Sequence, residues 1–160
     1  MTATSMFHVG LLVLDLEEAI LDFSKVLNLD FNDPTVVHFN RLEDPDPHEF
    51  DVRVTYSRQG PPHLELIEAK GSGVYSAAQG EGFHHIGLWE PNMSKSVERS
   101  STATGLRSEA KIVMPDGQTF VWFSDPASGH GTRLEFVDES TRPDIEKWIR
   151  TGEMEGGFSV

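Results

Sequence analysis

Met6-Phe7-His8-Val9-Gly10-Leu11-Leu12-Val13-Leu14 and Phe83-His84-His85-Ile86-Gly87-Leu88-Trp89 are two versions of one pattern. Each is a short, mostly apolar run, which reads as a buried strand. In each, a histidine stands two residues ahead of a glycine, so the two share one face of the strand. The segments that follow match as well. After the first run, Asp15 offers an N-cap, Glu17 and Glu18 favour a first helical turn, and Leu16, Ala19, Ile20, Phe23 and Leu27 recur at helical spacing up to Asn28. After the second, residues 92–104 read as a helix that Gly105 ends.

Three strands follow each helix. In the first half they are 35–40, the alternating run 50–57 and 63–69, the last reached through a Gly60-Pro61-Pro62 turn. In the second half they are 110–114, 119–124 and 132–138. The order strand, helix, strand, strand, strand therefore occurs twice. We expect one α+β domain over residues 1–138: module one at 6–69, a Gly- and Ser-containing surface linker at 70–82, and module two at 83–138. The acidic segment 43–49 reads as an exposed loop. Residues 139–160 are expected to form a C-terminal helix and tail, with Pro143 in the first turn, Ile145, Trp148 and Ile149 as an apolar stripe, and a frayed or docked end.

Each module also carries a glutamate between apolar residues, in Leu64-Glu65-Leu66 and Leu134-Glu135-Phe136. Strand alternation puts the leucines and the phenylalanine on one face and the glutamates on the other. If the apolar residues pack on helices, His8, Glu65, His85 and Glu135 all face the concave side of the sheet. Two neutral imidazoles and two carboxylates balance a divalent cation, and the mixed nitrogen–oxygen set suits zinc, nickel, cobalt, manganese or iron(II). A lone strand glutamate is ordinarily a solvent-face residue, and a lone histidine in an apolar strand is ordinarily a hydrogen-bonded core residue. The recurrence of both, in matching places of two matching modules, points to a shared site.

Composition removes other classes. There is no cysteine among the 160 residues, which excludes disulfide scaffolds, thiolate nucleophiles and cysteine-ligated metal. The formal net charge of −13 argues against nucleic acid and anionic membrane surfaces as partners. The segment Met1-Thr2-Ala3-Thr4-Ser5 lacks the basic and apolar parts of a signal peptide, so a cytoplasmic location is expected.

These residues resemble the vicinal-oxygen-chelate superfamily, the glyoxalase, bleomycin-resistance and dioxygenase fold. The resemblance rests on Phe7-His8-Val9-Gly10, Asp15-Leu16-Glu17-Glu18-Ala19, His63-Leu64-Glu65-Leu66-Ile67-Glu68, Gly82-Phe83-His84-His85-Ile86-Gly87 and residues 125–136. It is closest in flavour to glyoxalase-like and methylmalonyl-CoA-epimerase-like members. It implies two βαβββ modules forming a cupped, partly rolled mixed sheet with helices outside, and it implies a homodimer. It also implies that His8, Glu65, His85 and Glu135 hold the metal, and that Glu135, or next Glu65, acts as the catalytic base. Where epimerase-like members carry a further glutamate near position 53, this chain has Arg53, a departure that speaks against strict methylmalonyl-CoA epimerase activity.

Arg53 could grip an anionic substrate group, and Phe120 and Trp122 could line an apolar substrate pocket. His84 is expected on the helix side by parity, His63 near Glu65, and His48 and His130 in loops. The leading functional expectation is a divalent-metal-dependent lyase, isomerase or epimerase acting on a small oxygen-rich substrate through an enolate-like intermediate. The alternatives are an iron(II) extradiol-type dioxygenase and a metal-free drug-sequestering protein.

Overall fold

Strand β1 (Met6–Val13) opens the fold, in a computed structural model that describes residues 4–154. Helix α1 (Leu16–Leu27) follows. The Asp15 carboxylate accepts the Glu18 N–H at its start, and Asn28 ends it in the left-handed region at φ 53°. Strands β2 (Thr35–Glu43), β3 (Pro47–Tyr56) and β4 (His63–Glu68) complete the first half. The second half repeats the order: β5 (Gly82–Glu90), α2 (Met93–Thr104), β6 (Ser108–Val113), β7 (Thr119–Ser124) and β8 (Leu134–Asp138). Helix α3 (Arg142–Thr151), with Pro143 in its first turn, comes last. The expected tail beyond residue 154 lies outside the described residues.

The eight strands form one closed mixed barrel in the order β1-β4-β3-β2-β6-β7-β8-β5. Within each half the first and last strands pair in parallel, β1 with β4 and β5 with β8. The halves join twice. One seam, β1 against β5, is long and antiparallel; the other, β2 against β6, has two residue pairs, Leu42 with Ile112 and Glu43 with Lys111. The roll expected from the sequence is therefore carried through to closure.

The helices lie outside the barrel. Leu64, Leu66, Val13 and Leu11 pack with Leu16, Ala19, Ile20 and Phe23 of the α1 segment. Trp122, Phe136, Leu88 and Leu134 pack with Met93 and Val97 of α2. Complete burial of a side chain such as Leu66 contributes about 2 kcal/mol. Because these residues point outward to the helices, Glu65 and Glu135 point into the barrel.

Two expectations on connections change. The acidic segment is mostly strand, with a tight turn at residues 44–46, and the Asp44 carboxylate accepts the Val74 N–H at 2.8 Å. The segment 70–82 is not wholly on the surface: Val74 and Tyr75 are buried, and Tyr75 stacks near Phe39, Phe50 and His84. An aromatic side chain gains more by closing the barrel end than by following its polar neighbours into water.

Candidate metal centre

The seam between β1 and β5 builds the centre. In its antiparallel register His8 lies opposite Gly87, and Gly10 lies opposite His85. Each imidazole occupies the space above the other strand's glycine. A Cβ on Gly87 would stand 2.0 Å from His8 Cε1, and one on Gly10 would stand 2.2 Å from His85 Cε1. The glycines thus make room for the two rings to meet. Glu65 arrives from β4, paired with Gly10 in the parallel register, and Glu135 from β8, paired with Gly87.

All four side chains come from one chain and converge. His8 Nε2 and His85 Nε2 are 2.7 Å apart. Glu65 Oε2 lies 3.3 Å from His8 Nε2 and 3.2 Å from His85 Nε2. Glu135 Oε2 lies 2.9 Å and 3.3 Å from the same two nitrogens. Ligand atoms held about 2.1 Å from one cation stand roughly 3.0–3.4 Å from one another, as edges of an octahedron or tetrahedron. Three of the five observed spacings, 3.2–3.3 Å, fall in that range, while the Glu135–His8 pair at 2.9 Å and the two imidazole nitrogens at 2.7 Å stand closer together. Ligand atoms of His8, Glu65 and His85 all lie within 4.8 Å of one another, a group that could hold a metal ion. Glu65 Oε2 is buried and makes no hydrogen bond, as a donor atom awaiting a cation would be.

Electrostatics agree. Both imidazoles are fully buried, and both carboxylates are 7% exposed. Burial alone would strip the proton from His8, but Glu65 and then Glu135 push its pKa up to about 10. His85 shifts upward against the same burial, through Glu135 first. Burial would raise Glu135, yet His85 and His8 hold it down at about 2, and Glu65 is held down likewise, chiefly by His8. The pair of acids demands nearby positive charge, which protons or a divalent cation can supply.

His84 was expected on the helix side and is not there. The β1–β5 register shifts between Gly10 and Leu11, where Leu11 faces Phe83, so His84 is the extra residue of a bulge. Its Nε2–H donates to the Val74 carbonyl at 2.7 Å, which leaves Nδ1 to accept from His85 Nδ1–H at 2.8 Å. That chain of bonds assigns the His85 proton to Nδ1 and turns the Nε2 lone pair toward the centre. Burial, and then His85, lower the His84 pKa to about 4, consistent with a neutral acceptor.

Tyr56 was not singled out from the sequence. It sits opposite Glu65 in the β3–β4 register, its hydroxyl contacts the Glu65 carboxylate, and its ring meets His8 edge-on at 5.5 Å. The alternation of Phe50, Val52, Val54 and Tyr56 carried the signal.

Of the residues proposed for substrate, Phe120 lines the barrel cavity, together with Glu65 and Glu135. Trp122 does not. Its ring stacks on Phe136 at 4.4 Å beneath α2, and its indole N–H donates to Ser96 Oγ at 2.9 Å. Ser96 and Arg99 in turn donate to the buried Glu90. Two residues apart, Phe120 and Trp122 should share a face, but the β6–β7 register shifts between Ile112 and Val113 and leaves Phe120 as the extra residue of a bulge, which sends the two rings to different sides. Arg53 lies on the outer face of β3, paired with Glu17 of α1 and with Glu68. His63, opposite His8 in the β1–β4 register, donates to the Ser57 carbonyl, and His48 donates to the Asp46 carbonyl.

Among the described residues, no helix is long and apolar enough to cross a membrane. Residues 7–123 match the Glyoxalase/Bleomycin resistance protein/Dioxygenase superfamily. No curated protein matches the chain. Similar solved structures include a hypothetical protein from Bacillus halodurans, 19% identical, covering 86% of this chain and 95% of that one, with a TM-score of 0.63. A Streptomyces coelicolor methylmalonyl-CoA epimerase in complex with 2-nitronate-propionyl-CoA is 19% identical, with coverages of 87% and 96% and a TM-score of 0.63. The methylmalonyl-CoA epimerase from Mycobacterium tuberculosis is 20% identical, with coverages of 86% and 92% and a TM-score of 0.60. At such identities these likenesses carry the fold.

Proposed function

The chain belongs to the Glyoxalase/Bleomycin resistance protein/Dioxygenase superfamily, and on that premise we propose that it is a divalent-metal-dependent isomerase, epimerase or lyase that moves a proton next to a carbonyl of a small oxygen-rich substrate. One observation carries this reading: the Nε2 atoms of His8 and His85 each lie within 3.3 Å of both Glu65 and Glu135, and the two carboxylates face the barrel cavity. The epimerase activity named for similar folds agrees with it.

The four residues would hold the ion. When bound, a divalent cation acts as Lewis acid toward adjacent substrate oxygens and stabilises enolate-like charge. The remaining work falls to the chain. Tyr56 stands beside Glu65, and His84 fixes the tautomer of His85. We assign removal and return of the α-proton to Glu135. The apolar walls exclude bulk water, which strengthens each electrostatic contact inside.

The cavity measures about 70 Å³. A cavity of about 150 Å³ holds a benzene ring, so the space beside the two carboxylates favours a small aliphatic substrate over a catechol or an aromatic drug. Elemental analysis of the wild-type chain and of its Glu65→Gln and Glu135→Gln variants tests the proposal, with deuterium wash-in from D2O into small α-hydroxycarbonyl compounds as the activity readout. We expect about one metal per chain and loss of exchange in Glu135→Gln. Full metal content and full exchange in both variants would refute the assignment.

A further inference from the structure

The wall facing the centre is completed by helix α3 and the residues that follow it as far as Met154. Ile145 and Trp148 of α3, with Met154 just beyond it, line the same cavity as Glu65 and Glu135. Helix α3 is fastened there. The buried Asn32 side chain donates to the Ile149 carbonyl at 2.8 Å, and Arg58 Nε in turn donates to Asn32 Oδ1 at 2.7 Å. Arg142 lies 5.7 Å from the centroid of the Trp89 ring. Trp148 meets Tyr56 edge-on at 5.2 Å, and Tyr56 is the residue that touches Glu65. One tryptophan thus stands a single side chain away from the acid floor.

Two properties of this lining restrict what can bind. The first is charge. Among the described residues that line the cavity there is no lysine or arginine, and the only charged side chains are Glu65 and Glu135. An anionic group on a substrate arm would lose its water without gaining a partner, beside two buried acids. The second is room. About 70 Å³, against a cavity of about 150 Å³ that takes a benzene ring, leaves a short aliphatic arm better accommodated than a ring.

Resting on the proposed function, we infer that the cup selects a ligand with two adjacent oxygens on a short, uncharged aliphatic arm, and that Trp148 sets the limit on the length of that arm. Trp148 acts on specificity and takes no part in the proton transfer.

Binding calorimetry on the full chain loaded with Zn²⁺ tests this with three probes that share one chelating head. Acetohydroxamate has a methyl arm, benzohydroxamate a phenyl arm, and succinomonohydroxamate an arm that ends in a carboxylate. The wild type should bind the first at least about tenfold more tightly than either of the others, since a misfit ring or a buried unpaired charge each carries more than about 1.4 kcal/mol. Trp148→Ala should bring benzohydroxamate level with or ahead of acetohydroxamate while the carboxylate arm stays excluded. Trp148→Phe, which keeps an aromatic ring against Tyr56, should fall between, with thermal melting following the fold of both variants. A wild type that prefers the phenyl or the carboxylate arm overturns the inference even if the alanine variant does not fold. So does an unchanged preference in both variants. Failure of the wild type to take up zinc would bring down the proposed function and this inference together, whereas zinc uptake with the wrong order of probes brings down the inference alone.

Discussion

Replacing Gly87 with alanine tests the seam that forms the centre. A Cβ at that position would lie 2.0 Å from Cε1, 2.2 Å from Nδ1 and 2.4 Å from Nε2 of His8, whereas ordinary contact begins at 3.4 Å. The imidazole must therefore retreat by about 1.4 Å, several times the roughly 0.2 Å within which a ligand bond keeps its length. We predict that Gly87→Ala loses tight divalent-metal binding. The metal-free protein should also lose about 1–3 kcal/mol of stability from overpacking a fully buried site. The effect is specific to one ring, so it can be isolated by a cycle. In a His8→Ala background the clash is gone, and adding Gly87→Ala should then change stability by less than about 0.5 kcal/mol. Urea denaturation of the four metal-free proteins gives the coupling, and chelator competition gives metal affinity. Equal destabilisation by Gly87→Ala in both backgrounds would refute the reciprocal packing, as would wild-type metal affinity in the single variant.

Removing the orienting partner in His84→Ala should weaken metal binding by about 10–100-fold while leaving stoichiometry intact; unchanged affinity in the same competition assay would show that His85 needs no such help. The pH dependence of the metal-free protein follows from His8, whose pKa rises from 6.5 to about 10 on folding. A raised pKa stabilises fully below the unfolded value and loses that contribution as pH climbs toward the folded one, so melting temperature should fall between about pH 7 and pH 10. Glu135, depressed from 4.5 to about 2, contributes above pH 4.5 and loses its contribution as pH falls toward 2. With metal bound the imidazoles are already neutral and have no second proton to lose between about pH 7 and pH 10, and a melting profile as steep at alkaline pH as that of the metal-free form would contradict this account. Ser96→Ala leaves the Trp122 indole N–H unpartnered and removes one donor from buried Glu90, so it should destabilise by about 1–3 kcal/mol with metal affinity unaltered.

Much of this architecture could be read from local pattern because the relevant residues obey local rules. Asp15 and Asn28 bracket α1 by capping chemistry, and the alternation around Glu65 and Glu135 separates a helix face from a barrel face. Alternation stops informing where its premises fail. The register slip at His84 turns that side chain inward. On β7 Trp122 and Phe120 share one parity and looked equivalent, although the register shift at Phe120 leaves one under α2 and the other in the cavity. Arg53 shares a strand with cavity residues but sits one residue out of step with Val52 and Val54, which commits it to the outer face and its glutamates. Nothing short-range announced Tyr75 or the destination of α3. An apolar stripe of Ile145, Trp148 and Ile149 states that a helix must be covered, not what will cover it.

The crossed placement of ring over glycine along β1 and β5 also bears on ancestry. Each half holds one imidazole, one acid and the gap that admits the opposite imidazole. A half-length polypeptide that paired with a second copy of itself along its opening strand would assemble the full donor set about a twofold axis. Fusion of two such halves would then leave every donor in place, and the two copies could diverge everywhere except at the crossing.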